Sequence, residues 1–212
     1  MLTDPLAEAL QAGLSELTGP ALEPEQCDEL LSYIAQLERW NKAYNLTAVK
    51  APGEMVTRHL LDSLSIAPFI EGGRLLDAGT GAGLPGIPLA IARPELDVTL
   101  LDSSGKKIRF INHVRRHLKL ENIRPVQQRL EAYEPGFQFD AVISRAFTDL
   151  LSFAGAARHL AAGPLRLLAM KGRFPADELR ALPEWVQTDS IEKLHVPGLQ
   201  EERHLVIMSV IL

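Results

Sequence analysis

The sequence predicts an α/β fold: a helical N-terminal extension, then a mostly parallel, twisted sheet that ends in an antiparallel C-terminal hairpin. Three observations support this. Apolar positions recur at helical spacing up to about residue 70, short apolar runs alternate with amphipathic stretches from Gly73 onward, and a glycine-rich loop follows the first of those runs. A length of 212 residues suits one domain with a helical addition, so we divide the chain into residues 1–70 and 71–212 within one compact unit.

Helix start and stop signals divide the N-terminal extension into three helices. The first begins at Asp4-Pro5, an N-cap followed by proline, and Gly19-Pro20 ends it. The second begins near Pro24, and the third covers about 54–66, ending before Pro68.

The second part of the chain reads as repeated β-α units. Its predicted strands are Arg74–Ala78, Asp97–Leu101, Arg124–Gln127, Ala141–Ser144 and Leu165–Met170. The helices between them are Pro85–Ala92, Gly105–Leu118 and Thr148–Ala161, and the final hairpin pairs Ile191–Val196 with His204–Leu212.

Composition excludes several classes of protein. The charge of −5 and the pI near 5.7 argue at face value against a nucleic-acid partner. Residues 103–173, however, hold thirteen basic and five acidic side chains, whereas residues 1–40 hold one basic and eight acidic ones. No run of about 18 apolar residues predicts a membrane helix, and no signal peptide is evident. The lone Cys27 cannot form an internal disulfide. We therefore expect a cytoplasmic protein that has no metal site and does not associate with membranes.

The strongest chemical signal is the glycine loop after the first strand, residues 77–86. Gly81-x-Gly83-x-x-Gly86 matches the dinucleotide fingerprint and leaves an NAD-dependent oxidoreductase open. Asp77-x-Gly79-x-Gly81-x-Gly83 instead resembles the first motif of S-adenosylmethionine-dependent methyltransferases, in which a carboxylate at the strand end helps to hold the cofactor's ammonium group.

The second strand supports a nucleoside ligand under either interpretation. It ends in Asp102, which lies 19 residues after Gly83, where a ribose-binding carboxylate is expected. Leu130 and Glu131 follow the third strand and belong beside an adenine ring if the fold resemblance holds.

Further motifs extend the resemblance to a single family. They include Asn45-Leu46-Thr47-Ala48, Arg58-His59-x-x-Asp62-Ser63, Gly83-Leu84-Pro85-Gly86-Ile87-Pro88, Ser144-Arg145-Ala146-Phe147 and Lys171-Gly172. In this order the motifs resemble those of the bacterial small-subunit ribosomal RNA methyltransferase G family, also called glucose-inhibited division protein B, over residues 28–212.

This resemblance implies a Rossmann-like class I methyltransferase fold. It also implies that S-adenosylmethionine donates a methyl group to ring nitrogen 7 of a guanine in 16S ribosomal RNA. Carried over residue by residue, the cofactor site is Gly79, Leu84, Leu130, Glu131 and Arg145, to which the loop and strand patterns add Asp77, Gly81 and Asp102.

The residues fit that chemistry, because ring nitrogen 7 has a free lone pair and needs no general base. No Asn- or Asp-Pro-Pro-aromatic stretch of the amino-group methyltransferases follows the fourth strand; Ser144-Arg145-Ala146-Phe147 stands there. Cys27 lies outside the sheet, which argues against cysteine nucleophilic catalysis. Arg145 is the main candidate catalytic residue, contacting cofactor, guanine or phosphate. Asn45, His59 and Asp62 are candidates for a lid.

The predicted helix 105–118 supplies the argument for RNA. Lys106, Arg109, His113 and Arg116 fall on one face of it. Lys171 and Arg173 extend the positive charge, and such groups bind phosphates without sequence choice. Aromatic residues make up only 6%, so stacking platforms for single-stranded RNA are not evident. We expect 16S ribosomal RNA or the small subunit as partner and a monomer as the default state. Besides the oxidoreductase, a small-molecule methyltransferase and a non-catalytic S-adenosylmethionine-binding regulator remain as alternatives.

Overall fold

The computed structural model of the chain describes residues 4–145, 147–163 and 165–211. Ala146 of the Ser-Arg-Ala-Phe motif and Leu212, the last residue of the predicted hairpin, lie outside them. The strands are β1 (Arg74–Ala78), β2 (Asp97–Asp102), β3 (Ile123–Gln127), β4 (Ala141–Ser144), β5 (Arg166–Lys171), β6 (Val186–Leu194) and β7 (Arg203–Val210).

The α-helices are α1 (Pro5–Glu16), α2 (Pro24–Tyr44), α3 (Pro52–Met55), α4 (Asp62–Leu64), α5 (Gly86–Ala92), α6 (Gly105–His117), α7 (Leu150–Ala157) and α8 (Ala176–Arg180). A π-helical segment, Val56–Leu61, joins α3 to α4, so the predicted third helix exists but is wider than an α-helix at its centre. Single 3₁₀ turns cover Ala67–Phe69, Leu130–Ala132 and Arg158–Leu160.

The seven strands form one sheet in the order β3-β2-β1-β4-β5-β7-β6. The first five strands are parallel, and β7 pairs antiparallel with both β5 and β6. The mostly parallel sheet with an antiparallel hairpin is therefore confirmed. The direction of strand succession reverses between β1 and β4, and ligands of open α/β sheets bind at the carboxyl ends of strands at such a point.

Alternation along the strands divides the core into two layers. Leu75, Leu100 and Ile143 face a cluster formed with α1, α2, α5 and α6, whereas Leu76, Leu101 and Val142 face α7. Because both faces are covered, the parallel strands are nearly all apolar. The N-terminal helices belong to the first cluster, and they reach the edge of the sheet at which β1 ends, because the Tyr33 hydroxyl of α2 donates to the Ala82 carbonyl at 3.0 Å.

Candidate active site

Asp77 anchors the glycine loop between β1 and α5. Its Oδ2 accepts hydrogen bonds from the Thr80 hydroxyl at 2.6 Å and from the Gly86 amide at 2.8 Å. Gly83 has a φ of +95°, and a Cβ on Gly86 would collide with the Leu100 side chain. The glycines are therefore required by the turn and by close packing, with the loop held from below.

The Asp77 side chain is fully buried, and burial raises its pKa to about 6 against the hydrogen bonds and the Arg145 charge that lower it. Its Oδ1 has no hydrogen-bond partner among the described residues. The Oδ2 atom of this carboxylate thus holds the loop, while the Oδ1 atom remains able to accept a further hydrogen bond.

Asp102 holds the same loop from the end of β2. Its Oδ2 accepts from the Gly81 amide at 3.0 Å and from Lys107 Nζ at 3.1 Å, and its Oδ1 accepts from the Ser104 amide at 2.8 Å. The side chain is nearly buried but borders a cleft. Asp102 is therefore both a loop anchor and a carboxylate presented to that cleft.

The β2–β3 cleft, as we name it, is an opening of about 630 Å³ between the ends of these two strands. Four predicted cofactor residues line it: Gly79, Asp102, Leu130 and Glu131. Gly81 does not line the cleft, but its amide donates a hydrogen bond to Asp102, which does. Leu84 is buried within the loop. Lys107, Gln128 and Phe147 are also part of the lining and had not been identified as site residues from the sequence.

The donors and acceptors of this cleft fit S-adenosylmethionine. A buried carboxylate at a strand end suits the vicinal hydroxyls of a ribose, and the apolar Leu130 and Phe147 suit the faces of an adenine. Asp77 does not itself line the cleft, but its buried Oδ1 lacks a hydrogen-bond partner among the described residues and keeps acceptor capacity for an ammonium group.

Across the sheet switch point, a buried carboxylate joins two guanidinium groups. Asp62 Oδ2 accepts from Arg145 Nη1 at 3.1 Å and its Oδ1 from Arg203 Nε at 2.9 Å. Asp62 is 1% exposed, whereas the arginine side chains are 29% and 20% exposed. One negative charge thus positions two positive ones, which leaves a net positive charge at the surface.

His59 packs beside this cluster within the π-helical segment. Its Nε2 lies 2.9 Å from the Thr47 hydroxyl, and its Nδ1 is buried without a hydrogen-bond partner in the described structure. Burial lowers its pKa to about 4, and the nearby Arg145 charge acts in the same direction. Asn41 accepts from the Thr47 amide and thereby holds the loop after α2 against the cluster. His59 is therefore a neutral structural group at pH 7.

Two openings adjoin Arg145. The cationic cleft, about 690 Å³, is lined by Arg58, His59, Asp62, Arg145, Lys171 and Arg203. The outer cleft, about 880 Å³, includes Arg145, Phe147, Lys171, Arg173 and Phe174. Phe147 borders both the outer and the β2–β3 cleft, so Arg145 and Phe147 mark the place where the openings meet.

The predicted RNA-contacting residues occupy different environments. Lys171 is largely buried and pairs with Glu178 at 2.7 Å, so it fastens α8 to the site. Arg173 is exposed, as are Arg109 and Arg116 on α6. The Lys106 ammonium donates to the Tyr44 carbonyl at 3.0 Å.

The expectation of an open basic face on this helix is wrong at His113, which packs on Trp40 of α2 and bonds Gln36 at 2.8 Å. The helical periodicity of the sequence could not show that α2 covers the side of α6 that carries His113.

Sequence reasoning missed Lys107, Phe147, Phe174 and Arg203. Arg203 begins β7 after the hairpin turn and carries no motif, and its role depends on a partner 141 positions away. Lys107 could have been found, since it lies in the first turn of α6, only five positions after Asp102.

Among residues 4–145, 147–163 and 165–211, no helix combines the length and hydropathy that a bilayer crossing requires. Within the same ranges, no group of three or more histidine, cysteine or acidic side chains is arranged to bind a metal ion.

Comparison with solved structures shows the fold. The chain superposes on an S-adenosylmethionine-dependent methyltransferase from Aquifex aeolicus with a TM-score of 0.55 and 16% identity, covering 85% of this chain and 98% of the other. A S-adenosylmethionine-dependent O-methyltransferase from Thermotoga maritima gives a TM-score of 0.53 at 15% identity, covering 71% and 65%.

Sequence comparison is far more specific. The chain is 53% identical over 208 residues to Ribosomal RNA small subunit methyltransferase G of Pseudomonas syringae pathovar tomato, covering 98% of each chain. It is 51% identical over 195 residues to the protein of the same name from Salmonella arizonae, covering 92% of this chain and 94% of the relative. The family model described as rRNA small subunit methyltransferase G matches residues 26–206. This chain belongs to the rRNA small subunit methyltransferase G family.

Proposed function

We propose that the protein transfers a methyl group from S-adenosylmethionine to ring nitrogen 7 of a guanine in 16S ribosomal RNA. The observation that carries the proposal is the meeting of two unlike openings at Arg145 and Phe147. A cleft that carries a buried carboxylate lies on one side, and arginine-rich clefts lie on the other. The names of the close relatives give the same substrate class.

On the cofactor side, S-adenosylmethionine supplies an activated methyl group on a sulfonium centre. We assign Asp102 to the ribose hydroxyls, and Leu130 and Glu131 to the adenine, because all three line the β2–β3 cleft. Gly79 and Gly81 place their backbone against the methionine end. Asp77 holds the loop and offers Oδ1 toward the ammonium, and Leu84 supports the loop from its buried side.

On the target side, the acidic and imidazole groups of the cationic cleft are already engaged. Asp62 binds two arginines, and His59 faces Thr47. Neither is arranged as a general base, which suits an acceptor that has a lone pair and no proton to lose. We assign Arg145 to orient the guanine through its acceptor edge, while Asp62 fixes the guanidinium.

The protein's partner in this proposal is 16S ribosomal RNA or the small ribosomal subunit, met in the cytoplasm by a monomer. Arg173, Arg109 and Arg116 are exposed and able to contact phosphates. Lys106 and Lys171 also contact other parts of the chain, so they act on RNA through the field they add to the site edge. Family membership disfavours the oxidoreductase and small-molecule alternatives.

The test is transfer of labelled methyl from S-adenosylmethionine to small subunits, and to naked 16S RNA, prepared from cells lacking this protein. We expect one guanine to be labelled at ring nitrogen 7, mapped by mass spectrometry of nuclease fragments. Label on an exocyclic amino group or a ribose would contradict the acceptor assignment. Cofactor binding without transfer to either RNA form would support the non-catalytic regulator instead.

A further inference from the structure

Phe174 lies in the loop between β5 and α8, at the same sheet edge as Arg145. Its side chain is 53% exposed, more than any of the other large exposed apolar residues in the described part of the chain: Tyr44, Leu151 and Ile211. A single exposed apolar side chain needs no explanation by itself. The case for Phe174 therefore depends on how it is held and on what surrounds it.

The ring is held in place although it is exposed. It packs at 78° to the buried His204 ring, with centroids 5.8 Å apart. The backbone turns tightly here, since the Ala176 amide donates to the Phe174 carbonyl at 3.1 Å. A phenyl ring ordered in this way loses little conformational freedom when a flat partner stacks on it.

The outer cleft carries charges of both signs, but its two carboxylates are paired, Glu178 with Lys171 and Asp177 with Arg180. Phe174, Arg173 and Arg145 line the same outer cleft, and Arg173 is itself exposed. Proteins that bind single-stranded nucleic acid combine a positive groove for the backbone with aromatic rings on which bases stack. The outer cleft has both components within one loop.

A second phenylalanine, Phe147, marks where the outer cleft meets the β2–β3 cleft. Phe147 borders both the outer cleft and the β2–β3 cleft, and its ring packs 5.2 Å from Phe153. The guanine that accepts the methyl group must lie near this junction. Phe174 lines the outer cleft and is not part of the β2–β3 lining, which favours a base other than the target guanine as its partner.

We propose that Phe174 stacks on an unpaired base that flanks the target guanine, while Arg173 contacts the adjoining phosphate. This assignment rests on the proposed function. It makes Phe174 a positioning residue for the RNA, whose contribution is to binding the substrate rather than to the methyl-transfer step.

The test compares Phe174→Ala, Phe174→Leu and Phe174→Trp in transfer to small subunits lacking the modification. We expect the alanine and leucine variants to raise KM for the subunit about tenfold, since stacking commonly contributes roughly 1–3 kcal/mol per base. The kcat value and the affinity for S-adenosylhomocysteine, by calorimetry, stay within about twofold of wild type. The tryptophan variant restores the wild-type KM.

Ile211→Ala is the matched control, because Ile211 is 49% exposed and follows β7 at the opposite edge of the sheet. It leaves KM unchanged. Once the modified guanine has been mapped, a synthetic RNA with an abasic flanking nucleotide provides a double-mutant cycle, in which Phe174→Ala has no further effect.

An unchanged KM in the alanine variant, with wild type active, overturns the assignment of Phe174 alone. A leucine variant equal to wild type overturns stacking, and a fall in kcat at constant KM places Phe174 on the target guanine instead. A wild-type protein that transfers no methyl group to any RNA refutes the proposed function itself.

Discussion

The two sides of the site are built in different ways. The cofactor side consists mostly of short-range contacts: Asp77 binds Thr80 and Gly86, and Asp102 binds Ser104 and Lys107, within ten positions, while the bond from Gly81 to Asp102 spans 21. The target side is assembled from distant segments, because Asp62 meets Arg145 and Arg203 at separations of 83 and 141 positions. The geometry of the cofactor side depends on residues at the ends of strands. The geometry of the target side depends on how the N-terminal helices pack against the sheet.

The largest expected effect is loss of cofactor affinity in Asp102→Ala. The substitution removes a carboxylate that holds Gly81 and Lys107 and is presented to the β2–β3 cleft. Charge-assisted hydrogen bonds contribute about 1.5–3 kcal/mol each, so we expect roughly 100-fold weaker binding of S-adenosylhomocysteine by calorimetry. Asp97→Ala, at the other end of β2, is the control; equal losses in both variants would assign the effect to the strand.

Arg145→Ala tests whether the two sides are separable. We expect at least about tenfold slower methyl transfer, because the target guanine loses its orienting donor. Cofactor affinity should stay within about threefold, since Arg145 lines the cationic and outer clefts. Arg166→Ala, which removes a surface pair with Glu71, should leave both quantities unchanged. A parallel loss of cofactor affinity in Arg145→Ala would move this residue to the cofactor side.

Opposite pH dependences should distinguish the two sides. The Asp77 pKa is raised to about 6, so this group stabilises the fold at low pH and its contribution is lost as pH rises from about 4 to 6. The His59 pKa is lowered to about 4, so its contribution is present above the ordinary value of 6.5 and is lost as pH falls from there to about 4. Each pKa shift corresponds to roughly 3 kcal/mol of stability. In the wild type, the two contributions change the free energy of unfolding in opposite directions as pH rises.

Chemical denaturation at pH 4.5 and pH 7.5 measures the free energy of unfolding. In Asp77→Asn only the His59 contribution remains, so this free energy should rise with pH. In His59→Gln only the Asp77 contribution remains, so it should fall with pH. Identical pH profiles in both variants and the wild type would show that neither buried group titrates as described.

The smallest expected effect concerns the RNA-facing charges. Helix α6 runs back from the site for thirteen residues, about 20 Å, so Arg116 lies far from the sheet edge that carries Arg173. We expect Arg173→Ala to weaken subunit binding a fewfold and to reduce the salt slope by about one, whereas Arg116→Ala has a smaller effect on both quantities. Filter binding between 50 and 200 mM salt measures both, and a larger effect at Arg116 would extend the RNA interface along α6.

The strands, the glycine loop and Asp102 could be predicted from the sequence because their determinants are local. Apolar runs with turn signals mark β1 and β4 to the residue, and glycines after a strand mark the turn. The π-helical segment was not predictable, because its wider turn depends on packing against neighbouring helices. The five-residue α8 was missed as well, since one turn carries too little periodicity to detect.

By itself, then, the sequence determined the sheet, the loop and the carboxylate at the end of β2, since each follows from residues within one β-α unit. Only the tertiary structure decided what lies opposite them. Arg203, Phe147 and Phe174 acquire roles because the hairpin, the β4 loop and the β5 loop end at one edge. Packing removes the Asp62 carboxylate from water. Because a buried charge is unfavourable without partners, the carboxylate binds the two arginines.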